Sequence, residues 1–192
     1  MDIRFQISEI IDKINPIDEQ EKNHKNYVKN WIASGADLFR IKKPATPKTH
    51  LVSYFIPYDQ ENDQILLVHH KKVNLWLPPG GHVDLNEHPR ITAQREMEEE
   101  LFAKADFLIN DPLFLTVSET VNESSSHTDV SLWFVVKGSC KKQYKFDERE
   151  FYNIAWYNIA DALERPTEPH LQRFLQKLKA LTASLTNELA RS

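Results

Sequence analysis

Between His50 and Tyr157 the apolar residues come in short runs separated by polar turns, whereas outside that stretch they recur every three or four positions. Short runs bounded by turn residues predict strands over residues 51–58, 65–70, 113–121, 130–136 and 151–157, the first two joined by the polar segment 59–63. Helical spacing covers residues 6–34, with a break at Asn15-Pro16 and a stop at Gly35. Tyr27 with Trp31 and Val28 with Ile32 share a face there, a stripe expected to pack against the rest of the chain. A further helix is predicted over residues 89–101 and another over 170–189, where Leu171, Phe174, Leu175, Leu178, Leu181 and Leu185 keep helical spacing. Strands, one central helix, more strands and a final helix predict an α+β fold, layered as α/β/α around a mixed sheet. The basic, proline-bearing segment 42–48 suits a linker. Residues 1–45 are therefore read as a helical extension with its linker, and 46–192 as the main domain.

Charge and cysteine content narrow the function. With 24 basic and 28 acidic side chains, a net charge of -4 gives no general positive field for a nucleic-acid duplex. A small polyanionic substrate would need local positive charge or a metal. Cys140 is the single cysteine, so there is no intrachain disulfide and no cysteine cluster for zinc. The polar N-terminal stretch and the lack of any apolar run near the roughly 18 residues of a membrane span set the expectation of a cytoplasmic chain without membrane attachment.

Glycine is scarce, four in the chain, yet Gly80 and Gly81 are adjacent. They follow Trp76-Leu77-Pro78-Pro79, which predicts a stiff approach ending in a tight turn, where the main chain comes close to a ligand or ion. Pro89 then suits the first position of the helix. On that helix Glu96, Glu99 and Glu100 fall within roughly a 100° arc, while Glu98 points away. Ala93, Met97 and Leu101 make an apolar stripe beside them. A glutamate-rich turn is usually a solvated face. Beside a core, however, three like charges repel, and a hard cation such as Mg²⁺ or Mn²⁺ removes the conflict. Arg95 is placed to pair with a carboxylate such as Glu87 through its fork.

The spacing weighs more than any single residue. From Gly81 the chain runs five residues to Glu87, seven more to Arg95-Glu96, then Met97, Glu98 and Glu99-Glu100. This resembles the Nudix box, Gly-x5-Glu-x7-Arg-Glu-apolar-x-Glu-Glu-x-Gly-apolar, at every charged position. It departs at the end, where Phe102 replaces glycine and Ala103 is a weak apolar residue. The box covers residues 81–103, and flanking strands extend the resemblance to about residues 50–160. The resemblance implies a Nudix-like α/β/α sandwich. It also implies a divalent ion, Mg²⁺ or Mn²⁺, held by the Gly81 carbonyl and by Glu96, Glu99 and Glu100, which would make these glutamates the catalytic set. Glu87 and Arg95 would brace the loop. The implied reaction is hydrolysis of a diphosphate linkage in a nucleoside diphosphate derivative: ADP-ribose, a nucleotide sugar, a dinucleotide or a nucleoside triphosphate. Its general base would be Glu96, or Glu148 or Glu150 ahead of the last strand. A homodimer is a further family expectation. The competing readings are a non-catalytic nucleotide sensor whose helical extension meets a partner, and an isopentenyl diphosphate isomerase. That isomerase needs a catalytic cysteine, which Cys140, far from the box, fits poorly.

The eight histidines show no spaced pair with a third partner of the kind zinc needs. His69 and His70 are adjacent in a strand and face opposite sides. His82, next to Gly81, is a candidate to touch a phosphate or a base edge. His127 with Asp129 is a weaker candidate to reach the site, from a segment, 123–127, expected to be a mobile loop. Trp76, Tyr54, Phe55 and Trp133 lie on or near strands, where aromatics are core before they are base-stacking platforms.

Overall fold

The computed structural model describes residues 2–43, 45–122 and 125–189. Two helices come first, α1 (Ile3–Lys13) and α2 (Glu19–Ala33). Each begins on an aspartate that caps free backbone N–H groups: Asp2 accepts from Arg4 N, and Asp18 from Glu21 N. The expected break at Asn15-Pro16 lies in the gap between them.

The sheet contains β1 (Thr49–Asp59), β2 (Gln64–His70), β3 (Leu75–Leu77), β4 (Gly80–His82), β5 (Phe114–Asn122), β6 (Ser125–Lys137) and β7 (Phe151–Asn158). Helix α3 (Pro89–Leu101) follows β4, and α4 (Ile159–Leu163) and α5 (Leu171–Leu189) close the chain. The strand order is β3-β2-β1-β6-β5, with β7 on β2 and β4 on β1. Strand β1 runs parallel to β6 from Thr49↔Thr128 to Tyr58↔Lys137. Its other edge is shared. Val52–Tyr54 pairs with β4, and only Tyr58 and Asp59 pair with β2. The sheet forks between those two pairings, and the fork places the candidate site.

Alternation along β1 divides the core. Leu51 and Phe55 join α1, α2 and α3 in one apolar cluster, whereas Ile56 and Tyr58 join α4 and α5 in a second cluster on the opposite face. Helices thus cover both faces of a mixed sheet, the expected α+β sandwich. Ile7, Ile10, Ile11, Ile14, Val28 and Ile32 of the N-terminal helices sit in the same cluster as Leu51 and Phe134. Of the predicted stripe, Val28 and Ile32 are buried, Trp31 is partly buried and Tyr27 is exposed.

Three expectations change. Strands β3 and β4 and the short α4 were not anticipated, because three to five residues carry too little periodicity to register. Gly80 and Gly81 lie in a strand and not a tight turn: they pair with Tyr54 and Ser53, so ladder hydrogen bonds hold them. Ser125, Ser126 and His127, expected in a mobile loop, begin β6. Glu123 and Ser124 lie outside the described residues, as does Pro44 of the predicted linker.

Candidate active site

Helix α3 starts where the sequence places it. His88 caps it, its Nδ1 accepting from Arg90 N at 3.1 Å, and Pro89 takes the first turn, where no backbone N–H is needed. Burial of Ala93, Met97 and Leu101 fixes the helix phase, and that phase sets Glu96 and Glu100 at the margin of the core. Glu98 and Glu99 stay exposed. The side of the helix with Glu96 and Glu100 lies against β4. Gly80 N–H donates to Glu100 Oε2 at 2.9 Å. A Cβ at Gly81 would overlap the Glu96 carboxylate, and one at Gly80, whose φ is +144°, would overlap the Ser53 carbonyl. Gly80 is therefore required by its φ and by close backbone approach, whereas a side chain at Gly81 would displace the Glu96 carboxylate.

Arg95 ties these parts together. Its Nε donates to Glu87 Oε1 at 3.2 Å, and its Nη2 to Glu87 Oε2 at 3.1 Å and to the His82 carbonyl at 3.3 Å. Its Nη1 donates to Glu96 Oε1 at 2.7 Å and reaches Glu99 Oε2 at 3.5 Å. Thr92 Oγ1 completes the cradle, donating to Glu87 Oε2 at 2.6 Å. Burial alone would raise the Glu87 pKa, but the Arg95 fork and the Thr92 hydroxyl outweigh it and hold this carboxyl below its usual range. The reverse holds at Glu100. Burial, and after it the charges of Glu96 and Glu150, push its carboxyl well above the usual range. Glu96 is also raised, by burial first, although Arg95 opposes the shift.

These groups open on a cavity of about 800 Å³ whose wall includes Gly81, His82, Glu96, Glu100 and Glu150. A smaller cavity of about 330 Å³ beside it is lined by Glu96, Glu99, Glu100 and Glu150, among others. Glu150, ahead of β7, thus faces the same carboxylates, whereas Glu148 lines neither cavity. Arg40, Lys43 and Lys72 bring positive charge to the larger one. The structure brings together all of Gly81, His82, Glu87, Arg95, Glu96, Glu99, Glu100 and Glu150.

The residues match the sequence profile of the NUDIX domain from residue 48 to residue 178, about two thirds of the chain. The chain belongs to the Nudix hydrolase family. No curated protein sequence matches it. Among solved structures it is similar to a NUDIX-family hydrolase from Clostridium perfringens, with a TM-score of 0.54 and 20% identity over 69% of this chain and 97% of that one. It is also similar to the dihydroneopterin triphosphate pyrophosphohydrolase of E. coli, at a TM-score of 0.56 and 14% identity over 66% and 92% of the two chains. An Ap4A hydrolase of C. elegans aligns with a TM-score of 0.51 and 20% identity over 69% and 98%. At these identities the likeness shows the Nudix fold. Helices α1 and α2 precede the matched region. No helix among the described residues is long and apolar enough to cross a membrane.

The Nudix box departs from its pattern at Phe102, and the structure shows what that does. Phe102 caps α3 in the left-handed conformation, φ +49° and ψ 37°, with its ring exposed. The helix stop survives without glycine, at the cost of backbone strain. Cys140 stands apart from the Nudix site: its N–H donates to Asp59 Oδ2 at 2.8 Å, and it lines neither cavity described above. The sequence reading missed one group. His50, His82 and Asp129 turn side-chain ligand atoms toward one another, all within 4.8 Å, and His127 stacks on His50. His50 and Asp129 each stand one residue ahead of an apolar run, so extending those two strands backwards was the available signal. Their pairing across β1 and β6 was not legible. His82 is held neutral, its pKa lowered to about 3 by burial and then by the nearby Arg40 guanidinium.

Proposed function

We propose that this Nudix protein hydrolyses a diphosphate linkage in a nucleoside diphosphate derivative, with Mg²⁺ or Mn²⁺ as cofactor. The observation that carries the reading is the pair of glutamates, Glu100 buried and Glu96 partly buried, set against Gly80 and Gly81 at the wall of the large cavity. Burial first, and then neighbouring carboxylates, raise both pKa values, a conflict that a hard cation among oxygen ligands relieves. The donor set therefore fits the ion. When bound, it neutralises phosphate charge and makes a bound water more acidic. Glu96 and Glu100, with Glu99 at the solvent side and the Gly81 carbonyl, are the ligand set. Arg95 holds the Glu96 carboxylate in one orientation and anchors the Glu87 loop to the helix. Arg40, Lys43 and Lys72 offer positive charge to the phosphates. Glu150, facing the carboxylates from the β7 side, is the candidate to take the proton of the attacking water. Tyr54, also on the cavity wall, offers a ring to a nucleobase.

The neighbours named above as acting on dihydroneopterin triphosphate and on Ap4A support nucleotide-like substrates as a class. The test is a panel of ADP-ribose, nucleotide sugars, dinucleoside polyphosphates and nucleoside triphosphates incubated with Mg²⁺ or Mn²⁺ and scored for nucleotide products. Metal-dependent cleavage of at least one is the expected result. Tight binding of a panel member without cleavage under either ion would replace the hydrolase with a nucleotide sensor.

A further inference from the structure

The histidine group beside the same cavity is not explained by the Nudix carboxylates. Strand pairing builds it. His50 and Asp129 are register partners across β1 and β6, His82 of β4 lies opposite Val52, and His127 is two residues from Asp129. Because side chains alternate along strands, all four emerge on one face. His50 is fully buried, and its Nδ1 lies 2.9 Å from the Pro47 carbonyl. A carbonyl only accepts, so Nδ1 carries a proton, and in the neutral ring Nε2 presents a lone pair. That Nε2 lies 3.2 Å from Asp129 Oδ1, yet it makes no hydrogen bond among the described residues, and neither does His82 Nε2. With His50 neutral, its Nε2 lone pair faces a carboxylate oxygen, an arrangement that a proton or a metal ion between the two relieves.

We propose that His50, His82 and Asp129 form a second cation site, separate from the Nudix carboxylates, for a borderline transition ion of the Zn²⁺ or Co²⁺ class. Two imidazoles and one carboxylate make a donor set that such ions favour over Mg²⁺. Ligand atoms around one such ion, at about 2.0–2.2 Å from it, stand roughly 3.0–3.5 Å apart, and the His50 to Asp129 distance already matches. The Pro47 carbonyl fixes the His50 ring as outer-shell partners of metal-bound histidines do. His127 Nε2, 3.5 Å from Asp129 Oδ2, positions the carboxylate from the other side. Three protein ligands leave a coordination position, and His82 and Asp129 both line the 800 Å³ cavity. A fourth ligand, a water or a phosphate oxygen, would enter from that cavity.

The experiment uses the full chain, freed of metal by chelation, then titrated with Co²⁺ and followed by its visible absorption, with Zn²⁺ as competitor. X-ray absorption on the zinc-loaded wild type reads imidazole scattering without any substitution. We expect one tightly held Co²⁺ with a nitrogen-ligated spectrum, displaced by Zn²⁺, and two imidazoles in the zinc shell. His82→Gln and Asp129→Asn each weaken this binding at least tenfold, while Glu100→Gln leaves the spectrum unchanged. Near-UV circular dichroism checks that each variant is folded, and if either variant fails to fold, the zinc shell of the wild type decides. A spectrum like that of the aquated ion, a zinc shell without imidazole, or a signal lost in Glu100→Gln and kept in Asp129→Asn would each overturn the site. None of these readouts requires turnover, so failure here is distinguishable from failure of the hydrolase assignment.

Discussion

Two buried glutamates sit on helices of this molecule and meet opposite surroundings. Glu21 of α2 is fully buried and paired: its Oε1 accepts from Lys177 Nζ at 2.6 Å and from Leu115 N at 3.2 Å, and its Oε2 from Ile17 N at 2.8 Å. Glu100 of α3 accepts from Gly80 N and faces two further carboxylates, Glu96 and Glu150. The first glutamate straps α2 to α5 and to β5. The second stores electrostatic conflict beside a cavity. Burial of a carboxylate therefore identifies nothing by itself; the sign of the charge it faces separates a structural strut from a candidate site.

The contrast breaks most completely when the strut's whole helix is removed. Deleting residues 1–45 takes Ile7, Ile10, Ile11, Ile14, Val28 and Ile32 out of the core. At about 1.5–3 kcal/mol for each buried side chain, the loss is on the order of 10 kcal/mol, comparable to the stability of a whole domain. The truncated chain is expected to aggregate or stay unfolded. A soluble, cooperatively melting product would show that the extension is a tether.

At the site, Glu100→Gln is expected to lower metal-dependent turnover about 10³-fold, because a ligand charge is lost where charge holds the ion. Glu98→Gln, on the exposed side of the same helix, serves as the control and retains wild-type rates. Without metal, Glu100→Gln is more stable than wild type at neutral pH. The raised pKa gives the direction: the ionised carboxylate destabilises the fold above that pKa, and the penalty disappears as pH falls through it toward the ordinary carboxylate range. The gap between the two melting temperatures should therefore close on acidification. A gap that is constant with pH, or wild-type turnover in the variant, would remove Glu100 from the mechanism.

The strut responds the other way. Glu21→Ala leaves Lys177 without its carboxylate and Leu115 N–H without its acceptor, an expected loss of about 3–5 kcal/mol in denaturant unfolding. Turnover per folded molecule is expected to be unchanged.

The smallest effect concerns the end of α3. Phe102→Gly relieves a left-handed residue whose side chain is 61% exposed, and should add roughly 0.5–1 kcal/mol, after the entropy that glycine gives the unfolded chain. Chemical denaturation without metal reads it. A loss of stability would show that the ring makes contacts worth more than the strain.

What could be read before folding was local. Helix α3, its buried stripe and the set from Glu96 to Glu100 follow from spacing along a few turns, since the helical period turns sequence distance directly into a shared face, while Glu87, ahead of the helix, was read from the box spacing. The strands longer than five residues were legible for the same reason. Residues of β4 and β3 were not, because three residues hold less than two periods, and at Gly80-Gly81 there is no side chain to alternate.

Sequence by itself determined the longer elements, the family and the carboxylate-bearing helix, because each depends on order within one short segment. Tertiary structure alone decided what those segments face. Glu21 and Lys177 are 156 residues apart, and His50, His82 and Asp129 come from three strands whose register is a property of the assembled sheet. Charge complementarity and ligand geometry act through space over a few ångströms, and only the folded backbone brings those distances into being.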